Sequence, residues 1–215
     1  MSIKYFYNNM EEKKIILIGY AGHGYVAHSI FASTNKKVWA YCDSALKENN
    51  PFNLQYLGTE NTEIALAHFL ENNFFISIGD NMVRAKVQEN LAKSNYHPCN
   101  AIHSSAIICP TSEINAHGIM VSAGVIINPL SIIGKGVICN TGCIIEHECI
   151  VEDFAHIAPG AVLCGNVTVG ENTFIGARAV VKQGVTIGKN VIIGAGSVVV
   201  NNIPNNVTVM GCPAK

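Results

Sequence analysis

Glu146-His147-Glu148 sets an imidazole between two carboxylates, and a second histidine, His156, follows nine residues later. Imidazole titrates near neutrality, so either ring can take a proton from a reacting group and later return it. Glu148 is placed to orient or polarise the His147 ring. Consecutive side chains of a regular strand point to opposite faces, so this pairing needs a corner in the chain. A plainer role is open to both histidines, as surface or corner residues making a structural hydrogen bond. Near the other end, Gly19-Tyr20-Ala21-Gly22-His23-Gly24 follows the apolar run Ile15-Ile16-Leu17-Ile18 and leads into a helix. Backbone amides at such a junction suit a phosphate. Ala21 stands where a dinucleotide fingerprint requires glycine, which weakens a redox reading, and the bland alternative is an ordinary strand-to-helix connection. Asp43, just past a second strand, is placed to accept hydrogen bonds from a ribose or base. Arg178, Lys182 and Lys189 fall at outward or corner positions late in the chain, where they can meet phosphates or merely solubilise the surface.

Positioning these groups requires two kinds of scaffold. From Val121, every sixth residue through Ile127, Ile133, Cys139, Ile145, Val151, Ile157 and onward to Val199 is apolar. Two places before each of them, from Val125 to Ser197, the residue is small or β-branched. A spacing of two puts both side chains on one face of a short strand, and a spacing of six repeats the arrangement after each corner. Three such faces close a coil of 18 residues, and coils bury their apolar stripe only by stacking. Glycine follows the large inward residue at Gly134, Gly170, Gly176, Gly188 and Gly194, which suggests corners with unusual backbone angles. Gly165, 18 residues beyond His147, should stand one coil above it, where its N–H could face a developing oxyanion. Ile102, Ile108 and Ile114 keep the period one residue out of phase, so a first coil beginning near Ala101 should contain a one-residue adjustment. An ordinary β-sandwich does not explain so long a sixfold repeat.

Before Pro98 the pattern differs. Lys14–Ile18, Lys37–Cys42 and Phe74–Ile78 read as strands, and Thr62–Leu70 as a helix. Asp80-Asn81 can cap a further helix running to about Lys93. Alternation of strand and helix favours a small three-layer α/β unit with a mainly parallel sheet, ending near Asn95. Met1–Glu12 reads as an extra strand or a loose arm. We therefore expect an α/β domain over residues 1–97 and a β-helix over 98–215.

The 215 residues carry 14 basic and 15 acidic side chains for a formal charge of −1, with no long block of either sign. Bulk attraction to nucleic acid or to an acidic membrane is not expected. Apolar runs are strand-sized, far short of the roughly 20 residues that span a bilayer. Eight cysteines without CxxC spacing read as free thiols of a cytoplasmic protein, and Cys139, Cys143 and Cys149 fall at inward positions where cysteine acts as a small hydrophobe.

Several stretches together resemble one family. Ile15–Gly24, Ile78-Gly79-Asp80-Asn81 with Arg84, Asn140–Cys149, His156-Ile157-Ala158-Pro159-Gly160 and the ending Gly211-Cys212-Pro213-Ala214-Lys215 look like the bacterial sugar O- and N-acetyltransferases. These are hexapeptide acyltransferases with a left-handed β-helix, typified by the sialic acid O-acetyltransferase and the bacillosamine-pathway N-acetyltransferase. The resemblance covers all but roughly the first dozen residues. It implies a Rossmann-like N-terminal domain that holds a nucleotide sugar, followed by a left-handed parallel β-helix. It also implies homotrimers with acetyl-CoA bound between neighbouring β-helices, and no metal. His147 matches the family's general base and Glu148 its acidic partner. His156 matches the second histidine, associated with ligand contacts. His23, Gly79 and Asp80, with Gly19, Ala21, Gly22 and Asp43, are assigned to the nucleotide pocket. His156, Gly165, Arg178, Lys182 and Lys189 are candidates for acetyl-CoA. The acceptor it suggests is the amine of a UDP-linked 4-amino-4,6-dideoxy sugar. Alternatives are O-acetylation of sialic acid or another sugar, a carbonic-anhydrase-type lyase using His147, His156 and His103 or His117 as zinc ligands, and a scaffold without chemistry.

Overall fold

The computed structural model describes residues 13–215; the expected arm Met1–Glu12 lies outside them. Strand β1 (Ile15–Ile18) is buried on both faces, as its unbroken aliphatic run requires. It pairs in parallel with β2 (Val38–Cys42) on one side and β4 (Asn73–Ile76) on the other. A fourth strand, β3 (Gln55–Tyr56), gives the order β3-β2-β1-β4. Two residues between loops carry too little periodicity to have marked β3 in advance. Helix α1 (Gly22–Ser33) covers one face of this sheet, while α2 (Glu63–Glu71) and α3 (Asn81–Ala92) cover the other. Side chains of β1 divide accordingly, Ile15 and Leu17 toward α1, Ile16 and Ile18 toward the opposite layer.

From Ala101 the chain winds into a parallel β-helix of triangular section with three sheets of two-residue strands. The first sheet contains Met120–Val121, Ile138–Cys139, His156–Ile157 and Phe174–Ile175. Its lower outward residues Ala101, Met120 and Ile138 pack into the α1 core, so we call it the docking face. The second, the aliphatic face, includes Ile126–Ile127, Ile144–Ile145, Val162–Leu163 and Val180–Val181. The third, the mixed face, includes Ile132–Ile133, Ile150–Val151 and Thr168–Val169. Every sixth residue from Val121 to Val199, and its partner two places earlier from Val125 to Ser197, is buried in one continuous core.

Two irregularities frame the stack. Ile102 pairs with Val121 nineteen positions on, whereas Val121 pairs with Cys139 eighteen on, so the one-residue adjustment falls between Ile114 and Met120. At the top Ile193 pairs with Val209, a coil shortened to sixteen.

One expectation is corrected. Gly134, Gly170, Gly176, Gly188 and Gly194 do not adopt left-handed backbone angles. They are glycine because coils press together there: a Cβ on Gly170 would lie 2.5 Å from the Gly188 backbone. The left-handed residue of a corner falls elsewhere, as at Glu148 (φ 60°), Asn166 (φ 55°) and Gly184 (φ 74°), one coil apart from each other.

Candidate active site

His147 lies at the corner between the aliphatic and mixed faces, directly opposite the docking face in the triangular section. The left-handed turn at Glu148 swings its carboxylate back along the chain, so that Oε2 reaches Nδ1 of His147 at 3.0 Å although the two residues are adjacent. Both side chains are about half exposed. One coil on, Gly165 stands against the imidazole, and an added Cβ would come within 2.5 Å of Nε2. The Gly165 carbonyl accepts from the Gly184 N–H at 3.0 Å, while among the described residues its own N–H has no backbone acceptor. A carboxylate, an imidazole with its second nitrogen outward and an unspent amide thus converge at one corner.

The sheet reverses its order between β1 and β4, the point where open parallel sheets bind ligands beyond their strand ends. A cleft of about 440 Å³ opens there, lined by Gly19, Tyr20, Ala21, Gly22, Asp43 and Gly79 among others. Ala21 is the extended N-cap of α1 and has no side chain to cap with, leaving the first amides of the helix free for an anion. Asp43 braces this loop: its carboxylate accepts from the Tyr20 N–H at 2.9 Å and the Ser44 N–H at 2.7 Å, and pairs with Lys47 at 3.0 Å. Partial burial alone would raise its pKa, but these donors and the Lys47 charge hold it below the ordinary carboxylate value. Asp80 caps α3 by accepting from Val83 N–H at 2.9 Å and does not line the cleft.

His156 sits on the docking face between Ile138 and Phe174, with its side chain turned outward and buried by the N-terminal unit. Its ring meets His23 edge-on, centroids 5.4 Å apart, and Phe174 at 5.0 Å. His23 in turn covers Gly79, where a Cβ would lie 2.6 Å from the ring. Burial, then the nearby Arg84 cation and His23, push the pKa of His156 down to about 3. Burial and Arg84 lower that of His23 as well. The fold therefore joins His156 to His23 and Gly79, and separates it from His147.

Arg84 is the residue whose role the sequence left unstated. It is fully buried and donates five hydrogen bonds: Nε to Gly136 O (2.7 Å), Nη1 to Ile78 O and Gly79 O (3.0 and 3.1 Å), and Nη2 to Asn81 Oδ1 and Phe154 O (2.9 and 2.8 Å). It thereby ties the loop after β4 to two successive β-helix corners. All five acceptors are neutral, and burial lowers its pKa to about 9. The advance signals were its place one turn after Asp80-Asn81 and its part in the motif that carries the family resemblance.

The three late cations occupy three different corners. Arg178 lies between the docking and aliphatic faces, Lys182 on His147's corner, and Lys189 between the mixed and docking faces. Lys189 is engaged by Glu171 at 3.3 Å and Glu152 at 3.7 Å. Among the described residues, no group of three His, Cys, Asp or Glu side chains is disposed to hold a metal, and no helix is long and apolar enough to cross a membrane.

A parallel β-helix carrying a histidine–carboxylate pair over a glycine amide defines an acyltransferase of the hexapeptide class. Residues 14–91 match the PglD N-terminal domain, and residues 166–201 match the bacterial transferase hexapeptide, six repeats. A histidine-to-asparagine variant of perosamine N-acetyltransferase from Caulobacter crescentus, in complex with CoA and GDP-perosamine, is 35% identical. The match covers 94% of this chain and 95% of that one with a TM-score of 0.87. The acetyltransferase domain of PglB from Neisseria gonorrhoeae, in complex with acetyl coenzyme A, is 31% identical over 95% and 98% of the chains, TM-score 0.88. WeeI from Acinetobacter baumannii is 25% identical over 95% and 99%, TM-score 0.81. The chain belongs to the sugar N-acetyltransferases of the left-handed β-helix type. This membership sets aside the lyase and the inert scaffold.

Proposed function

We propose that this enzyme transfers the acetyl group of acetyl-CoA to the amine of a nucleotide-linked amino sugar, with His147 as the base. The observation that carries the reading is the convergence of His147, Glu148 and the Gly165 amide on one corner. Glu148 occupies Nδ1, so Nε2 is the nitrogen left to accept a proton. The amine nitrogen attacks the thioester carbonyl carbon, and the Gly165 N–H donates to the oxyanion. His147 takes the amine's proton, the C–S bond breaks, and the proton passes to the departing sulfur.

The nucleotide is assigned to the cleft of Gly19, Ala21, Gly22, His23, Asp43 and Gly79. Its diphosphate faces the start of α1, and Asp80 supports this cleft through its cap on α3 rather than by touching ligand. Lys182, two coils above Glu146 on the catalytic corner, is the cation we assign to coenzyme A, with Arg178 second. Lys189 is already held by carboxylates.

A sugar leaving that cleft runs along the docking face, away from its own chain's His147 on the opposite corner. The base then comes from another copy, which supports a homotrimer. The surface for it is the aliphatic face, where the outward residues Ile107, Ile126, Ile144, Val162, Val180 and Val198 are all β-branched hydrophobes. We retain 1–97 and 98–215 as the domain division and the cytoplasm as the location; free thiols at all eight cysteines fit that compartment.

The test is coenzyme A release from acetyl-CoA with UDP-, GDP- and dTDP-linked amino sugars and with free sialic acid. We expect turnover with one nucleotide amino sugar; UDP is the base suggested by the family resemblance, and GDP the one carried by the 35% identical relative. Preference for sialic acid, or release with none of them, would overturn the reading.

A further inference from the structure

Among the described residues, eleven other than glycine hold left-handed backbone angles, and seven of these are asparagine, whose short amide tolerates that conformation. Glu148 adopts it to reach His147, and Phe154 adopts it fully buried, with its carbonyl accepting from Arg84. Leu130 (φ 63°) is the one member of the set that is both apolar and exposed. Its surface is 60% open, and it belongs to none of the three apolar cores. Glu148, Asn166 and Gly184 each anchor their corner by donating a backbone N–H to the coil below, at 3.0, 2.8 and 3.0 Å, whereas the Leu130 N–H has no backbone acceptor among the described residues. A bulky side chain at such an angle is strained, and no packing within the chain explains why leucine stands there.

Leu130, Glu148, Asn166 and Gly184 stack in one column, each one coil from the next, along the corner that carries His147. Pro129 lies one coil beneath His147, and the imidazole leans the other way, onto Gly165. With the thioester at Gly165 and the coenzyme phosphates at Lys182, one and two coils up, the acceptor is left the lower side of the ring. Leu130 stands on that side, about 4.8 Å down the axis from the matching position of Glu148.

A hexose carries oxygen on nearly every carbon, and an exposed leucine gains only where an acceptor carbon lacks it. In a 4-amino sugar, C6 hangs from the ring carbon next to the one that bears the amine. An amine directed at Nε2 of His147 therefore brings C6 within side-chain reach of the coil below. A methyl at C6 can make an apolar contact at about 4 Å, whereas a hydroxymethyl would have its hydroxyl desolvated against the isobutyl group without a partner.

We propose that Leu130 is a specificity-determining residue that reads C6 of the acceptor and favours a 6-deoxy amino sugar over its 6-hydroxy counterpart. This rests on the acetyl transfer proposed above and adds to it the residue that chooses among acceptors.

L130N is the informative variant, because asparagine already fills the same corner position at Asn166. It should melt at or above the wild-type temperature and keep both the oligomer mass and the affinity for acetyl-CoA. The acceptors are GDP- and UDP-linked 4-amino-4-deoxyhexoses that differ only in CH3 or CH2OH at C6. Wild type should prefer the methyl form by about 10- to 200-fold in kcat/KM, the range for small apolar differences in a binding pocket. In L130N that preference should collapse, chiefly through a raised KM for the methyl form, and L130M should restore most of it. Equal kcat/KM for the two acceptors in the wild type would overturn the proposal, as would an undiminished preference in folded L130N. A lower melting temperature or a smaller oligomer in L130N would make Leu130 a packing contact and overturn it as well. Release of coenzyme A with neither acceptor by the wild type would sink the acetyl transfer itself, and this proposal with it.

Discussion

The imidazole of His147 rests on the Cα of Gly165, one coil on, so closely that no side chain fits between them. G165A should therefore fold, since position 165 contributes nothing to the apolar stripe, yet displace the ring and shift the amide. We expect turnover to fall on the order of 10²- to 10³-fold, as for loss of an oxyanion donor. Steady-state kinetics beside a thermal melt would decide; a folded G165A with normal turnover would separate Gly165 from the chemistry.

H147A removes an exposed corner side chain and should leave the fold and acetyl-CoA binding intact. Loss of positioned proton transfer typically costs about 10²- to 10⁴-fold. A protonated primary amine must shed a proton to form an amide, so the deficit should be large. Turnover measured from pH 6 to 9, with donor affinity matched, tests this; near-wild-type rates throughout would remove His147 from the mechanism.

His156 makes stability depend on pH in a defined direction. Its folded pKa of about 3 lies below the ordinary histidine value, so between those limits the unfolded chain binds more protons than the folded one. The neutral ring's favourable burial is thus fully present above the ordinary value and is lost as pH falls toward 3. The contribution to the slope is at most about 1.4 kcal/mol per pH unit for one proton. Denaturant unfolding at pH 4 to 7.5 should show H156Q with a shallower dependence than wild type; equal slopes would contradict it.

Arg84 is predicted to be the most sensitive buried position. R84M strands the carbonyls of Ile78, Gly79, Gly136 and Phe154 without their donor, and each buried acceptor left unpaired costs about 1 to 3 kcal/mol. R84K should also fail in part, because an ammonium cannot reproduce the planar fork. Chemical denaturation and limited proteolysis of the N-terminal unit would report the loss. Wild-type stability in R84M would show that these bonds are replaced by water at no cost.

The aliphatic face supplies the oligomer prediction. V162D puts a charge at the centre of that stripe while leaving the inward Leu163 untouched. Light scattering should fall from ~69 kDa, three times the chain mass of 23.1 kDa, toward the monomer, with activity lost in step. A V162D trimer of full activity would move the interface elsewhere.

The β-helix was legible because one rule, a large apolar residue every sixth place, holds from Val121 to Val199 and each violation would bury a polar group. The α/β unit was legible to within a residue or two at β1, β2, α2 and α3. The short β3 was not, because two residues at a sheet edge leave no periodic trace. Stacking distance put Gly165 above His147 before any geometry was known. The left-handed turn that brings Glu148 to Nδ1 depends on corner angles that residue type does not announce, and the glycines that follow the inward residues pointed to a different place in the corner for them. The grouping of His156 with His23 and Arg84 was equally hidden, since it is made by docking one unit on the other across 72 to 133 positions of chain.

Eighteen residues per coil also constrains how a chain of this kind can lengthen or shorten. Inserting or deleting a whole coil returns every later side chain to its own face and translates it along the axis by one strand spacing, about 4.8 Å. A change of six residues instead rotates all later corners by a third of a turn, which would carry Lys182 off the corner of His147. Separation between the nucleotide cleft and the catalytic corner is therefore quantised, adjustable only in axial steps of one coil. Finer differences in acceptor length must be met by side chains within the clefts.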